Sequence, residues 1–358
     1  MLSTLAFRAS AERLEDPAEQ SDAAAAALLR ARLAGAATRA PVNLSQAEEA
    51  FREGLTERRR QELRFVASRD YREARAALAA AAEHAELTTR VANRSLARER
   101  SAVDRASAAL AVLDGVEERV WLEPDARSRL QRARTLVSEA SSLLAGGAYR
   151  SGTLRATAGI EEAGAVAETL RTLTSRYADE GNLAVWQAWA SETVNWSART
   201  GRAAIVVAKD EHRLTLYQGG EAVLHLDVEL GWNNARDKRW QGDGATPEGR
   251  YRITQMKGRS SSRYHRALLL DYPSNEDLDV LAELKRSGVV PEGTRAGGLI
   301  EIHGGGGRGG DWTDGCVAVT DAEMDELFRR VGAGTPVTIV GSQDGNGVFA
   351  SVYRSLAP

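Results

Sequence analysis

One cysteine and one histidine lie where two short strands are expected to meet. Residues 299–303 form a strand candidate that ends in His303, and residues 316–319 form another that begins with Cys316, the only cysteine of the chain. A thiolate nucleophile needs a base within hydrogen-bond reach, and two adjacent strand ends can hold such a pair rigidly. The spacing predicts nucleophilic catalysis. The alternative is a buried, inert cysteine beside a surface histidine.

A glycine-rich loop joins the two strand candidates. It runs over residues 304–310 and is followed by Thr313-Asp314-Gly315-Cys316. A glycine before the nucleophile allows a sharp turn that points backbone N–H groups inward, where they can stabilise an oxyanion. A phosphate-binding loop is disfavoured, because the Lys-Ser/Thr ending and a following helix are absent from the pattern.

The elements that must position this pair lie in the second half of the chain. Residues 1–200 hold 9 of the 33 glycines and residues 201–358 hold 24. The first part is rich in helix-forming Ala, Arg, Glu and Leu, and the second in Val and turn pairs. We therefore expect a boundary near residues 197–202, with a helical part before it and a sheet after it.

The first part is expected to form several long helices. Ser45-Gln46-Ala47-Glu48 is a capping-box pattern that predicts a helix start, and Gly146-Gly147 predicts a break. Apolar residues at steps of three and four predict one buried helical face: Tyr71, Ala74, Leu78, Ala81 and Ala85. Nothing in this part indicates a function.

In the second part, apolar and polar residues alternate as they do along the strands of a sheet. Strand candidates are residues 204–207, 213–217, 223–230, 251–254, 267–270, 299–303, 316–319 and 337–340. Thr320-Asp321-Ala322-Glu323 is a capping-box pattern that predicts a helix through about Val331. Many short strands with few helices predict a mostly antiparallel sandwich or barrel-like sheet.

Composition excludes several function classes. The 358 residues contain no run of about 18 apolar residues, so no membrane-spanning helix is expected. The formal charge of −3 argues against a nucleic-acid binder driven by positive charge. A single cysteine excludes an internal disulfide and a multi-cysteine zinc site.

Residues ~203–341 resemble the L,D-transpeptidase catalytic domain, also called the YkuD-type domain. Ile302-His303-Gly304 and Thr313-Asp314-Gly315-Cys316-Val317 match the family's two catalytic motifs in order. The run from Gly242 to Ile253, with Thr246-Pro247 and Gly249, is similar to the family's upstream signature. The resemblance implies an α+β chain: an N-terminal all-α bundle (1–200), an L,D-transpeptidase-like catalytic domain (201–345) and a C-terminal tail (346–358).

The resemblance also implies the roles of individual residues. Cys316 is the expected nucleophile on the carbonyl of the meso-diamino acid at the third stem position of peptidoglycan. His303 is its base, oriented by the carbonyl of Gly304. The backbone N–H groups of Asp314, Gly315 and Cys316 form the expected oxyanion hole. Substrate contacts are expected from Tyr264, Arg308, Trp312 and Thr313, although a mobile lid is an equal alternative for Arg308 and Trp312.

Two departures from the common family pattern leave the acyl acceptor open. Position 314 is Asp where many members have His, and position 318 is Ala where many have Arg or Asn. These positions look more like the YafK-like branch, in which some members hydrolyse a peptidoglycan link. The main hypothesis is therefore a transpeptidase. One alternative is a hydrolase of the same fold. The other is a non-catalytic envelope scaffold that acts through its helices.

The resemblance implies neither a metal nor an organic cofactor. The expected partners are peptidoglycan stem peptides, and an envelope protein that the helical part could dock. Residues 1–7 do not have the pattern of a secretory signal, so by composition the protein is either cytosolic or has had its signal removed. A location in the periplasm or cell envelope is nevertheless expected, with the signal removed from this sequence, because the family's substrates lie outside the cytoplasmic membrane.

Overall fold

The structure is a computed structural model that describes residues 13–356. It divides into two compact units: Met1–Ala106 with Leu136–Thr157, and Ser107–Thr135 with Ala158–Pro358. Helices give way to strands at residue 200 as expected, but residues 107–135 and 158–200 group with the sheet. The assignment of 1–200 and 201–345 as separate domains stays a prediction.

The N-terminal region is helical. Its helices are α1 (Ala18–Leu33), α2 (Ala36–Arg39), α3 (Pro41–Glu62), α4 (Arg72–Ala111), α5 (Pro124–Ala145), α6 (Tyr149–Thr174) and α7 (Glu180–Thr200). The expected break at Gly146-Gly147 is confirmed, because it separates α5 from α6. Among residues 13–356, no helix combines the length and apolarity needed to cross a membrane.

The first unit packs through small side chains. The expected face of α4, with Tyr71 directly before it, is buried throughout. The capping-box prediction at Ser45 is wrong, because α3 begins four residues earlier at Pro41. Proline is favoured in the first turn of a helix, where its missing N–H costs no hydrogen bond. The Ser45 side chain therefore lies inside a helix that had already begun.

One eight-stranded sheet forms the second part of the chain. Its strands are β1 (Ala203–Ala208), β2 (Arg213–Gln218), β3 (Glu221–Asp227), β4 (Gly249–Lys257), β5 (Ala267–Leu270), β6 (Glu301–His303), β7 (Val317–Ala318) and β8 (Pro336–Val340). The order is β3-β2-β1-β8-β4-β5-β6-β7. Two of the neighbouring pairs, β1–β8 and β6–β7, are parallel and the others antiparallel.

The sheet curls so that its two edges meet. Glu229, two residues past the edge strand β3, forms an antiparallel bridge with Ala318 of the opposite edge strand β7. The curl removes most of the exposed edge that an open sheet would leave. It also brings the segment after β3 to the loop between β6 and β7, which carries the candidate chemistry.

Both faces of the central strands are buried. Ile205 and Val207 of β1 belong to a core inside the curl, whereas Val206 and Ala208 pack on the other side. Trp186 of α7 belongs to that outer core. Burial on both faces explains why β1 is a continuous apolar run and not an alternating one.

Three further helices cover the sheet. The prediction of a helix after Thr320 is confirmed as α9 (Asp321–Arg330), with Thr320 and Glu323 forming its capping box. The sequence analysis missed α8 (Asn275–Arg286), whose capping box places Asp277 where Glu or Gln is usual. Within the segment expected as a tail, Val348–Ser355 forms α10 and buries Phe349.

Candidate functional site

The short parallel strands β6 and β7 place the cysteine and histidine near each other. Ile302 is paired with Val317, and His303 with Ala318. Ile302 and Val317 both point into the core inside the curl. Because side chains alternate along a strand, His303 and Cys316 share the opposite face, one diagonal step apart. The structure thus brings the two expected catalytic residues together.

The imidazole of His303 is held by the backbone of the next residue. Its Nδ1 lies 2.6 Å from the carbonyl oxygen of Gly304. A carbonyl oxygen only accepts hydrogen bonds, so Nδ1 carries the proton and Nε2 presents a lone pair. Nε2 is buried and has no hydrogen-bond partner among the described residues. Burial lowers the pKa of His303, which keeps the ring neutral.

The Cys316 thiol is protonated in this arrangement. Its Sγ lies 3.6 Å from the carbonyl oxygen of Leu299, to which the thiol donates a hydrogen bond. Burial raises the pKa of Cys316 to about 11, and the negative charge of Glu301 adds to this, although a hydrogen bond from the Glu301 backbone partly offsets it. The resting pair is therefore a neutral thiol and a neutral imidazole.

Three of the four expected substrate contacts surround the imidazole. Tyr264 stacks on His303 with ring centroids 3.6 Å apart and planes 5° from parallel. The indole of Trp312 approaches both rings edge-on, at 5.9 Å from His303 and 6.3 Å from Tyr264. The guanidinium carbon of Arg308 lies 3.4 Å from the Trp312 ring centroid. These residues form one wall beside Nε2, and substrate binding by them stays a prediction.

A carboxylate that the sequence analysis missed anchors the glycine-rich loop. Glu229 Oε2 accepts a hydrogen bond of 2.6 Å from the Trp312 indole, and Oε1 accepts one of 2.7 Å from the Gly309 N–H and another from the Arg308 N–H. The loop is therefore fastened in this structure. No local pattern marks Glu229, because its partners lie about 80 residues further along the chain.

The far end of the loop is fixed by Asp311. Its Oδ1 accepts a hydrogen bond from the Leu230 N–H at 2.6 Å, and its Oδ2 lies 2.9 Å from His212 Nε2 and 2.8 Å from the Asn234 amide. The sequence analysis assigned no function to His212. Its observed contacts hold the loop in place.

The turn before Cys316 is built around the Thr313 hydroxyl. Thr313 Oγ1 donates to the carbonyl of Cys316 at 2.7 Å and accepts from the Gly315 N–H at 3.2 Å. Gly315 has φ 129°, and a Cβ there would lie 2.6 Å from the Ala245 carbonyl oxygen, so only glycine fits. The Asp314 and Cys316 N–H groups have no acceptor among residues 13–356. They remain available as the predicted oxyanion donors, whereas the hydroxyl of Thr313 makes its hydrogen bonds within the turn.

A second missed carboxylate lies beside the thiol. Glu301 shares the sheet face of His303 and Cys316, and it is 7% exposed. Its Oε1 accepts a hydrogen bond of 2.5 Å from Lys257 Nζ on β4. The cation compensates a carboxylate that would otherwise be costly to bury.

Comparison with known proteins gives one family match. The family model described as the L,D-transpeptidase catalytic domain (YkuD) matches residues 202–339. No curated protein sequence matches the chain.

Several solved structures are similar to part of the chain. Bd1075 from Bdellovibrio bacteriovorus is 20% identical, with a TM-score of 0.31, over 44% of this chain and 53% of its own. An L,D-transpeptidase from Enterococcus faecium is 17% identical, with a TM-score of 0.25, over 38% and 49%. One from Mycobacterium smegmatis is 14% identical, with a TM-score of 0.25, over 38% and 58%. The chain thus spans about half the length of these structures.

Proposed function

Because residues 202–339 match the family model of the L,D-transpeptidase catalytic domain, we propose that the protein is a peptidoglycan-modifying cysteine acyltransferase. It forms a thioester between Cys316 and the stem peptide and passes the acyl group to an amine. One observation carries this proposal. His303 of β6 and Cys316, which directly precedes β7, face the same side of the sheet, and the lone pair of His303 Nε2 is unused.

The first step is removal of the thiol proton. A neutral imidazole whose Nδ1 proton is held by Gly304 can accept a proton only at Nε2. Substrate binding must draw the Cys316 thiol away from the Leu299 carbonyl and toward Nε2. Proton transfer then gives a thiolate and an imidazolium, and Gly304 continues to accept the Nδ1 hydrogen bond.

The second step is acyl transfer to sulfur. The thiolate attacks the peptide carbonyl carbon, and the carbonyl electrons move to oxygen, where the Asp314 and Cys316 N–H groups can stabilise the charge. The C–N bond then breaks, and the leaving amine takes the proton from His303 Nε2. The products are a thioester on Cys316, a free amine and a neutral imidazole.

The third step releases the acyl group. His303 Nε2 takes a proton from the incoming acceptor amine, which attacks the thioester and forms a new amide, and the thiolate regains that proton. With water in place of the amine, the same residues hydrolyse the bond. A 3–3 crosslink or a protein attachment is proposed, with hydrolysis as the alternative outcome.

The proposed substrate sets the proposed location and partners. Peptidoglycan lies outside the cytoplasmic membrane, so the protein is expected to act in the periplasm or cell envelope. Docking of an envelope protein by the helical region is also proposed. Under the scaffold alternative, the helical region carries the function and Cys316 performs no reaction.

The test is turnover of disaccharide-tetrapeptide muropeptides and crosslinked sacculi, followed by mass spectrometry. We expect Cys316-dependent products and a covalent acyl adduct on the wild-type protein. Cys316→Ala and His303→Gln should lose both. His225→Gln is the matched control, because this histidine of β3 lies outside the site. Dimers with loss of terminal D-Ala indicate transpeptidation, and shortened fragments indicate hydrolysis.

Two results would contradict the proposal. One is turnover that survives Cys316→Ala. The other is identical behaviour of wild type and Cys316→Ala on every substrate, which would favour the scaffold alternative.

A further inference from the structure

A large groove lies next to the turn Thr313–Cys316, which we call the catalytic turn, and Trp232 contacts both. Its cavity volume is about 1150 Å³, above the usual range for small-molecule sites. One wall is the segment between β3 and β4, including Trp232, Trp240 and Asp243. The other is helical, with Trp121 before α5 and Thr172 on α6. We call this cavity the tryptophan groove. All its lining residues belong to the second compact unit.

Two tryptophans present partly exposed rings in the groove. Trp121 and Trp232 form a tilted pair with centroids 4.8 Å apart. Trp232 packs directly on the backbone of Gly244, where a Cβ would lie 2.0 Å from the indole. The backbone N–H of Trp121 donates to Asn234 Oδ1 at 3.3 Å, and the side-chain amide of Asn234 donates to the Arg119 carbonyl at 2.8 Å. The ring pair is therefore preorganised.

The charged side chains along the groove are paired with one another. Arg236 contacts Glu123 at 2.8 Å, and Arg239 contacts Asp237 at 3.2 Å. Arg176 contacts the buried carboxylate of Glu248 at 2.6 Å. No lining cation is left without a carboxylate, which argues against a phosphate or nucleotide ligand. Exposed indole faces among balanced polar groups suit a neutral, polar ligand with apolar faces.

The groove also contains hydrogen-bonding groups that lack partners. Asn233 is 7% exposed, and its Nδ2 donates to the Asp243 carbonyl at 2.9 Å. Its Oδ1 is buried and accepts no hydrogen bond from any residue the structure describes. A buried amide oxygen without a donor is uncommon in folded proteins. The indole N–H groups of Trp121 and Trp240 likewise have no acceptor within residues 13–356. A ligand with hydroxyl and carbonyl oxygens would satisfy the two indole donors.

We propose that the tryptophan groove binds an N-acetylated oligosaccharide. The pyranose rings have apolar faces for the indoles of Trp121 and Trp232, and the hydroxyl and acetamido groups supply donors and acceptors. Choosing the glycan strand of peptidoglycan as the natural source rests on the proposed function. Saccharide binding itself requires no acyl transfer.

One lining residue of the groove, Trp232, is hydrogen-bonded to the catalytic turn. The Trp232 N–H donates to the Thr313 carbonyl at 3.0 Å, and its indole N–H donates to Asp314 Oδ1 at 3.4 Å. Asp314 lies two positions before Cys316. A glycan held on the indoles would therefore lie beside the thiol, within reach of its own stem peptide. The helical wall gives part of residues 1–200 a role in holding the substrate.

The test measures binding to the Cys316→Ala protein, so that no turnover intervenes. The probe is the hexamer of N-acetylglucosamine, titrated by calorimetry and tryptophan fluorescence. The glucose hexamer, which lacks acetamido groups, and a free stem tetrapeptide are the comparison probes. We expect saturable binding of the N-acetylated hexamer and at least tenfold weaker binding of the other two.

Two variants locate the binding. Trp121→Ala removes one stacking face and should weaken binding at least tenfold, about 1.4 kcal/mol. Thr172→Arg fills the groove from an exposed position of α6 without removing packing, and should weaken binding to the same degree. Trp196→Ala on α7 is the matched control, since this partly exposed tryptophan does not line the groove; binding should stay within twofold.

The groove proposal and the proposed function can be disproved independently of each other. Absence of saturable hexamer binding, or binding unchanged by both Trp121→Ala and Thr172→Arg, would overturn the groove proposal. Cys316-dependent turnover of soluble muropeptides would then still support the acyltransferase. Hexamer binding lost in both variants, in a protein without Cys316-dependent turnover, would support the groove and reject the proposed function alone.

Discussion

The phenol ring of Tyr264 lies flat against the imidazole of His303, with centroids 3.6 Å apart and planes 5° from parallel. The ring plane of His303 is thereby fixed on one side by Tyr264, while the Gly304 carbonyl fixes its rotation through Nδ1. These two contacts, made by residues from two different segments, fix the orientation of Nε2. A general base works only within hydrogen-bond reach of the proton it removes, so the orientation of Nε2 controls the proposed chemistry.

The stacking of Tyr264 on His303 predicts different effects on turnover for two substitutions at position 264. Tyr264→Ala should lower kcat about tenfold, because aromatic pairs contribute ~0.5–1.5 kcal/mol and the imidazole becomes free to turn. Tyr264→Phe keeps the ring and should stay within about twofold. Steady-state turnover of muropeptides measures both. Equal losses in the two variants would instead assign the effect to the phenol hydroxyl.

The neutral resting pair predicts an unusual pH dependence for Cys316. Its pKa is raised to about 11, and only the thiolate is alkylated. The rate of alkylation by iodoacetamide, measured by mass spectrometry, should therefore rise from pH 7 to about pH 11. Free cysteine levels off above its pKa of ~8.5 and is the reference. A plateau below pH 8 would mean that a thiolate–imidazolium pair exists before substrate binds.

Glu301 is expected to hold the thiol protonated. Glu301→Gln removes a negative charge that raises the pKa of Cys316, so that pKa should fall and alkylation at pH 8 should become several-fold faster. Glu326→Gln is the matched control, since it removes one carboxylate from α9 outside the site. Alkylation equally fast in wild type and Glu301→Gln would show that burial alone sets the pKa.

The carboxylate of Glu229 is expected to keep the glycine-rich loop closed. Glu229→Ala removes the acceptor of three hydrogen bonds, and charge-assisted bonds contribute ~1.5–3 kcal/mol each. Hydrogen exchange at Arg308 and Gly309 should accelerate more than tenfold, with new trypsin cleavage after Arg308. Asp227→Ala, an exposed carboxylate two residues earlier, should change neither. Unchanged protection in Glu229→Ala would indicate that Asp311 alone holds the loop.

Gly341 is expected to tolerate no side chain. A Cβ there would lie 2.3 Å from the indole of Trp186, which α7 packs on the sheet. Gly341→Ala should lower the free energy of unfolding by about 1–3 kcal/mol in denaturant titrations. Gly332→Ala, with open space around its Cβ position, should leave it almost unchanged. A Gly341→Ala protein as stable as wild type would mean that α7 is free to move away from the sheet.

The sequence alone determined the local elements and singled out the candidate pair, His303 and Cys316. The helix at Thr320, the break at Gly146 and the strands leading to His303 and from Cys316 all follow from patterns within a few residues. Periodicity and capping act at that range, because they depend on neighbouring backbone groups. The capping box at Ser45 failed for the same local reason, since Pro41 started the helix first.

Only the tertiary structure decided what surrounds the pair. Glu229 meets Trp312 because the sheet curls its first edge onto its last, and Lys257 meets Glu301 because β4, β5 and β6 are neighbours. Trp121 meets Trp232 across more than a hundred residues of chain. Such contacts depend on strand order and curvature, which arise from burying both faces of the sheet and which no local pattern encodes. The candidate pair could therefore be proposed from the sequence, whereas the groups that surround it in the structure could not.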